Sequence, residues 1–223
     1  MKNPYQPIPT KIVNVIEETP NIRTFVLKPE KEIPFLAGQF VELTIPGFGE
    51  APFTPSSSHF EREVLEMTIM RVGRATGALF TKKPGDLLGI RGPYGKPYPL
   101  QEFEGRDIYI VGGGVGLAPL RALFLALVHD INKYGRIFLR YGARTPKDIV
   151  YKKQLKEWEK IKKVDIELSV DSADEPWERK VGVVTCLMDE IPCDVKKSVA
   201  VVCGPPIMMK FVTQKLLDAG FPG

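Results

Sequence analysis

The spacing of apolar positions along this chain changes near residue 100. Before that point they fall in short runs rich in β-branched and aromatic residues, "KIVNVIEE", "IRTFVLK", "QFVELTI" and "VLEMTIMRV", cut by "TPN", "IPGFGE" and "KPGD". Runs of this length bounded by Pro and Gly predict strands and turns, and their succession predicts a small antiparallel barrel or sandwich. Beyond it, strand-like runs alternate with helical stretches: "DIYIVGG", "LAPLRALFLALVHDINKYG", "RIFLRYGA", "KDIVYKKQLKEWEKIKK", "VDIELSV", a segment near "GVVTCLMDE", "SVAVVCG" and "PIMMKFVTQKLLDAG". That alternation predicts a parallel, doubly wound α/β sheet. The segment "GKPYPLQEFEGRD" separates the two patterns and divides the chain into residues 1–100 and 101–223.

The stretch "IYIVGGGVGLAPLRALF", Ile108 to Phe124, has the form of strand, tight turn and helix that cradles a phosphate. It lacks the G-x-G-x-x-G/A dinucleotide spacing, since the sixth position from Gly112 is Leu117 and from Gly114 is Pro119. Gly112 to Gly114 allow a sharp turn and close approach to a ligand, and Pro119 is tolerated in a first helical turn, where its missing N–H has no partner anyway. A turn that merely packs tightly has the same composition. What favours a ligand is the topology, because a parallel sheet brings "RYGART" (Arg140–Thr145) and "VVCGPPIMM" (Val201–Met209) to the same edge as the glycine turn.

Composition narrows the reading. With 43% apolar and 26% charged residues over 223 positions, the chain is long enough for a real core, and its formal charge of +4 does not by itself imply nucleic acid. No run of 18 apolar residues and no signal-like N-terminus is present, which excludes a membrane span and implies a cytoplasmic protein. Cys186, Cys193 and Cys203 are an odd number without a C-x-x-C pair, so neither a disulfide framework nor a metal site is expected, and His59 and His129 have no recognisable metal partner.

The late turn Cys203, Gly204, Pro205, Met208 and the early one Gly114, Gly116, Pro119 together resemble the ferredoxin-NADP reductase superfamily, whose nicotinamide domain carries G-x-G-x-x-P and C-G-P-x-x-M turns. The resemblance covers nearly the whole chain, and it implies an N-terminal FAD-binding β-barrel followed by an NAD(P)-binding α/β domain. In the barrel it places an R-x-Y/F-S/T flavin segment at Ala51-Pro52-Phe53-Thr54, in which Phe53 and Thr54 match but Ala51 removes a cationic phosphate contact. It further implies flavin contacts along Met70, Arg71, Val72, Ala75 and Thr76, with Arg71 or Arg74 as a compensating cation, and a closing turn at "GPYG". On the nicotinamide side it implies contacts from Gly113, Gly114, Val115, Gly116, Pro119, Arg144, Cys203, Gly204, Pro205 and Met208. Thr54 and Cys203 are the expected catalytic positions.

The barrel segment "PGFGEAPFTPSSS" is similar to flavoprotein subunits of multisubunit anaerobic complexes: the gamma subunit of sulfhydrogenases, the related flavoprotein of anaerobic sulfite reductase, and the electron-transfer subunit of dihydroorotate dehydrogenase. This implies hydride transfer between NAD(P)H and FAD, single-electron exchange with an iron–sulfur subunit or ferredoxin in a heteromeric complex, and a [2Fe-2S] cluster only if a cysteine-rich C-terminal tail is missing from this chain. Arg144, with no acidic residue at 143 to 147, leaves both NADH and NADPH open. Two non-enzyme readings stand beside this one. Ala51 is compatible with a flavin-free assembly subunit, and the lysine-rich "YKKQLKEWEKIKK" with an OB-like nucleic-acid module, although Glu157 and Glu159 interleave with those lysines as on an ordinary solvated helix face.

Overall fold

Strands β1 (Ile8–Thr19) and β2 (Ile22–Pro29) flank the Pro20–Asn21 turn and pair antiparallel, with Ile16 opposite Thr24 and Thr10 opposite Pro29. They belong to a six-stranded antiparallel sheet in a computed structural model that describes residues 5–173 and 175–222. The other strands are β3 (Phe40–Ile45), β4 (Gly49–Phe53), β5 (Leu65–Met70) and β6 (Leu87–Tyr94), in the order β4-β3-β6-β1-β2-β5. Burial alternates along β3, so Val41, Leu43 and Ile45 point inward together, as a half-buried strand requires. They meet Phe25, Leu27, Met67 and Ile90 in one apolar cluster, which the short helix α1 (Arg74–Leu79) closes with Ala78 and Leu79. Each such large side chain contributes about 1.5–3 kcal/mol by leaving water.

The second sheet is parallel throughout: β7 (Asp107–Gly113), β8 (Ile137–Ala143), β9 (Val164–Val170), β10 (Lys180–Val181) and β11 (Ser198–Cys203), in the order β10-β9-β8-β7-β11. Strand β8 is buried along its whole length, as expected where both faces of a parallel sheet are covered. Helices α2 (Leu117–His129), α3 (Lys152–Trp158) and α4 (Pro206–Asp218) supply the crossovers and flank. From β7 the chain runs outward through β8 and β9, then returns to pair β11 on the other side of β7. The strand order therefore reverses beside β7, at the place where open α/β sheets accept ligands.

The chain resolves into two compact units, each with its own core. One takes in the described residues through Tyr98 together with Arg121–Ala126, and the other Pro99–Leu120 and Leu127 onward.

Four elements depart from the sequence expectation. Strands β4, "GEAPF", and β6, "LLGIRGPY", carry Gly and Pro and no alternation, and exist because β3 pairs with both. The helix expected across 147–163 is shorter. Pro146–Asp148 forms a separate 3₁₀ turn capped by Asp148 on the N–H and hydroxyl of Thr145, and Tyr151 sits in the left-handed region (φ 57°), so α3 starts only at Lys152. The segment near "GVVTCLMDE" is a 3₁₀ helix, Val184–Met188.

A side-chain lock fastens β4 to β6 across β3. The Arg91 guanidinium donates to both Glu50 carboxylate oxygens, at 3.0 and 2.5 Å, while Thr44 donates to the first of them at 2.6 Å. Arg91 beside it, then Thr44, hold the Glu50 carboxyl down from 4.5 to about 2. A depressed carboxyl pKa contributes stability that is complete above about 4.5 and is lost as pH falls toward about 2. Denaturant titrations between pH 5 and 2 are expected to show a shallower acid dependence for Glu50→Gln than for the unaltered protein; equal slopes would show that the pair contributes nothing.

Candidate functional site

In the second unit the strand ends converge as backbone. Cys203 of β11 pairs in register with Gly112 of β7, and Gly113 with Gly142 of β8. The chain then turns through the short 3₁₀ segment Gly114–Gly116 directly into α2. Gly116 lies under the next turn so closely that a Cβ there would stand 2.5 Å from the Cys203 carbonyl oxygen and 2.7 Å from the Gly204 Cα. A Cβ on Gly113 would run into the Met208 sulfur, and one on Gly204 would stand 2.7 Å from the Met208 methyl. Gly114 differs: its φ of +54° suits glycine, and nothing lies within 4 Å of where its Cβ would be. Close-packed glycines beneath an open one make a turn whose backbone a ligand can approach. The first-turn N–H groups of the 13-residue helix α2 lie at the end of this turn, where their partial positive charge favours an anion.

Gly113, Gly116, Cys203, Gly204 and Met208 are thus brought together, with Gly114 and Val115 at the open side and Pro119 in the first turn of α2. Pro205 is exposed at the start of α4. Arg144 lies one residue beyond β8, exposed, its carbonyl accepting the Ser172 N–H at 3.0 Å. The Cys203 thiol is half-buried, and that burial pushes its pKa above the ordinary 9.0, so it is protonated at neutral pH. One contributor was not legible from sequence. The buried Tyr141 donates its hydroxyl to the Gly114 carbonyl at 3.1 Å and accepts the Val150 N–H at 3.3 Å, tying the open glycine to the neighbouring strand. A tyrosine inside a buried strand reads as core, and only the register reveals its reach.

In the first unit the predicted residues come from three places. Phe53 ends β4 opposite Val41, and Ala75 lies in α1; both pack at the margin of the barrel's apolar cluster, and α1 packs on β3 and β4. Pro52 is exposed and Thr54 half-buried on the same segment. Met70 ends β5, half-buried, followed by exposed Arg71 and Val72. The Thr76 hydroxyl accepts the Val72 and Gly73 N–H groups, each at 2.9 Å, and donates to the Gly73 carbonyl at 3.2 Å. It is committed to shaping the turn into α1, and only its backbone remains for a ligand. Arg71 does not join Phe53 and Ala75: its guanidinium stands 5.8 Å from the centre of the Phe80 ring, at the other end of α1. Among the described residues no group of three or more His, Cys, Asp or Glu is placed to hold a metal ion.

Comparison with known proteins sets this geometry in a family. Residues 9–98 match the family described as Oxidoreductase FAD-binding domain, and residues 110–214 match Oxidoreductase NAD-binding domain. The chain is 38% identical to the sulfhydrogenase 2 subunit gamma of Pyrococcus furiosus in an alignment that covers 99% of this chain and 82% of that protein. It belongs to this family of FAD- and NAD-binding oxidoreductases. A second relative, named probable dihydroorotate dehydrogenase B (NAD(+)) electron transfer subunit, from Methanocaldococcus jannaschii, is 33% identical, with 97% of this chain and 76% of that one covered. Among solved structures, an NADH-dependent reduced ferredoxin-NADP oxidoreductase is 28% identical with a TM-score of 0.77, covering 100% of this chain and 76% of that one. A ferredoxin NADP+ reductase from Neisseria gonorrhoeae with bound FAD and NADP superposes with a TM-score of 0.79 at 20% identity, over 96% of this chain and 92% of that one, which shows the common fold.

As a member of that family the chain is a flavoprotein oxidoreductase module with a barrel-like FAD-binding half and a parallel-sheet NAD-binding half. Both groups fit the residues present: the glycine turn has room only for backbone below and open space above, and β4 and α1 meet through the partly apolar pair Phe53 and Ala75 with Arg74 exposed at the start of the helix. Gly116→Ala is expected to lower stability by about 1–3 kcal/mol through overpacking and to weaken NAD(P)H binding together with it. Gly77→Ala, where a helical glycine has nothing within 4 Å, is expected to be neutral or to stabilise by about 0.4–1 kcal/mol. Thermal denaturation and nucleotide fluorescence check both; a Gly116→Ala protein as stable and as competent as the parent would contradict the packing argument.

Proposed function

We propose that residues 1–100 hold FAD and residues 101–223 hold NAD(P)H, and that the chain passes electrons between the nicotinamide and an iron–sulfur subunit or ferredoxin in a heteromeric complex. The observation that carries the reading is the backbone contact of Gly116 with Cys203 and Gly204 beneath the open Gly114, a turn suited to a pyrophosphate. When bound, the two cofactors supply hydride exchange between the nicotinamide C4 and the flavin N5.

The chain's own residues position and shield. Gly113 to Gly116 hold the nucleotide's phosphates by backbone N–H groups, Pro119 fixes the first turn of α2 behind them, and Gly204, Pro205 and Met208 form the turn against which the nicotinamide end rests. Cys203 offers a protonated thiol beside it, an uncharged contact and not a nucleophile, because burial keeps the thiolate scarce. Thr54 offers a hydroxyl and Phe53 an aromatic face to the flavin ring, with Pro52 shaping the strand between Ala51 and Phe53. Met70, Val72, Ala75 and the Thr76 backbone line the rest of the flavin cradle, while Arg71, turned over the Phe80 ring, stays outside it. Arg144 meets the adenosine ribose and accepts a 2′-phosphate as readily as a hydroxyl, so both NADH and NADPH serve.

The partner assignment is supported by the relatives, which are themselves named as subunits of larger enzymes. A cytoplasmic setting, without nucleic-acid binding or membrane insertion, suits such a partner, and no helix among the described residues is long and apolar enough to cross a membrane. The test is acceptor choice. FAD-loaded protein reduced anaerobically by NADH or NADPH is expected to reduce a ferredoxin in catalytic turnover, followed by the ferredoxin's visible bleaching. Reduced flavin that reacts with two-electron acceptors but with no iron–sulfur protein would overturn the partner assignment.

A further inference from the structure

FAD carries a diphosphate dianion, and a unit that retains it is expected to set a cation against that charge. Strand β4 supplies none, since its inward positions are Ala51 and Phe53. The arginines of the first unit can be sorted by what already holds them. Arg91 is spent on both carboxylate oxygens of Glu50 and on the Tyr94 hydroxyl at 3.2 Å. Arg23 donates to the Phe80 carbonyl at 2.9 Å, lies 3.8 Å from Glu17 and covers the Phe80 ring at 4.9 Å. Arg71 lies over the same ring. Phe80 caps the C-terminal end of α1, so Arg23 is held at the helix carbonyls there, and Arg71 shares the Phe80 ring with it. Arg62 precedes β5 at the opposite end of that strand from Met70. Arg121 is buried, donating to the Ser56 carbonyl at 2.7 Å and paired with Glu66.

Arg74 remains. It is the first residue of α1, exposed, and it makes no hydrogen bond, ion pair or ring contact among the described residues. Its neighbour Ala75 packs into the cluster that Phe53 also joins, which puts the start of α1 beside the strand that lacks a charge. We propose that Arg74 is the phosphate-binding cation of the flavin site, taking over from the uncharged position 51, and that Arg71 is structural. The assignment rests on the reading of residues 1–100 as the FAD-holding domain. An exposed arginine costs little to redirect, because no existing partner has to be broken, whereas Arg91 would have to abandon a fork-to-carboxylate pair.

The experiment is an FAD titration of the apoprotein by flavin fluorescence, with near-UV circular dichroism confirming that each variant is folded. Arg74→Gln is expected to weaken FAD binding about tenfold to a hundredfold, the range expected for one charge-assisted hydrogen bond. Arg74→Lys is expected to retain most of the affinity, Arg71→Gln to stay within about threefold of the parent, and Ala51→Arg to restore affinity when added to Arg74→Gln. Arg74→Gln binding FAD as tightly as the parent, or Arg71→Gln weakening it as much, would overturn the assignment. If the unaltered protein takes up no FAD at all, it is the flavin-domain reading that falls, and this assignment with it.

Discussion

Much of the nucleotide-binding half follows from one steric constraint, the passage of Gly116 beneath the carbonyl of Cys203 and the Cα of Gly204 with no space for a side chain between them. The contact joins the turn after β7 to the turn after β11, two strands that are neighbours in space and far apart in sequence. The strand order reverses beside them, so both turns lie at the sheet edge where open α/β sheets accept ligands. Met208 packs over Gly113 and Gly204, and the Tyr141 hydroxyl holds the Gly114 carbonyl from the other side. A larger residue at 116 would separate the turns and remove the cradle with them, whereas one at 113 or 204 would first displace the Met208 side chain.

The flavin half works under a different constraint. The residues proposed for its site lie on the margin of an apolar core: Phe53 and Ala75 pack on the same cluster, and the Thr76 hydroxyl is used up in turning the chain into α1. Charge is consequently scarce. The fork-to-carboxylate pair of the sheet, Arg91 with Glu50, fastens strands, and the cations near Phe80 serve the far end of the helix. A dianionic ligand then has to be met by backbone donors and by whichever side chain is still uncommitted.

How much of this was legible in the sequence depended on whether the determinant was local. Strands β7 and β9 match "DIYIVGG" and "VDIELSV" residue for residue, because a short apolar run (β7) and a strict apolar–polar alternation (β9) are both strand patterns with few other options. Strands β4 and β6 were invisible, since Gly and Pro suppress the alternation and it is pairing, of β4 with β3 and of β6 with β3 and β1, that stabilises them. The lysine-rich helix was overextended because its propensity is real, while the interruptions, the Asp148 cap and the left-handed Tyr151, are set by tertiary contacts. At the site, the two glycine-rich turns could be read as motifs. The turning away of Arg71 and the reach of Tyr141 could not, because each depends on which strand ends up next to which.

The central claim is that this one chain holds a flavin that nicotinamide reduces directly. The most direct test is the visible spectrum of the purified protein under anaerobic conditions, recorded after saturation with FAD and removal of the excess, and again after NADH and then NADPH. Retained flavin absorbance that bleaches on addition of either nucleotide is the predicted result, and the faster bleaching identifies the preferred donor. Absence of retained flavin, or retained flavin that neither nucleotide bleaches, would contradict the account and make an assembly role the better description of the chain.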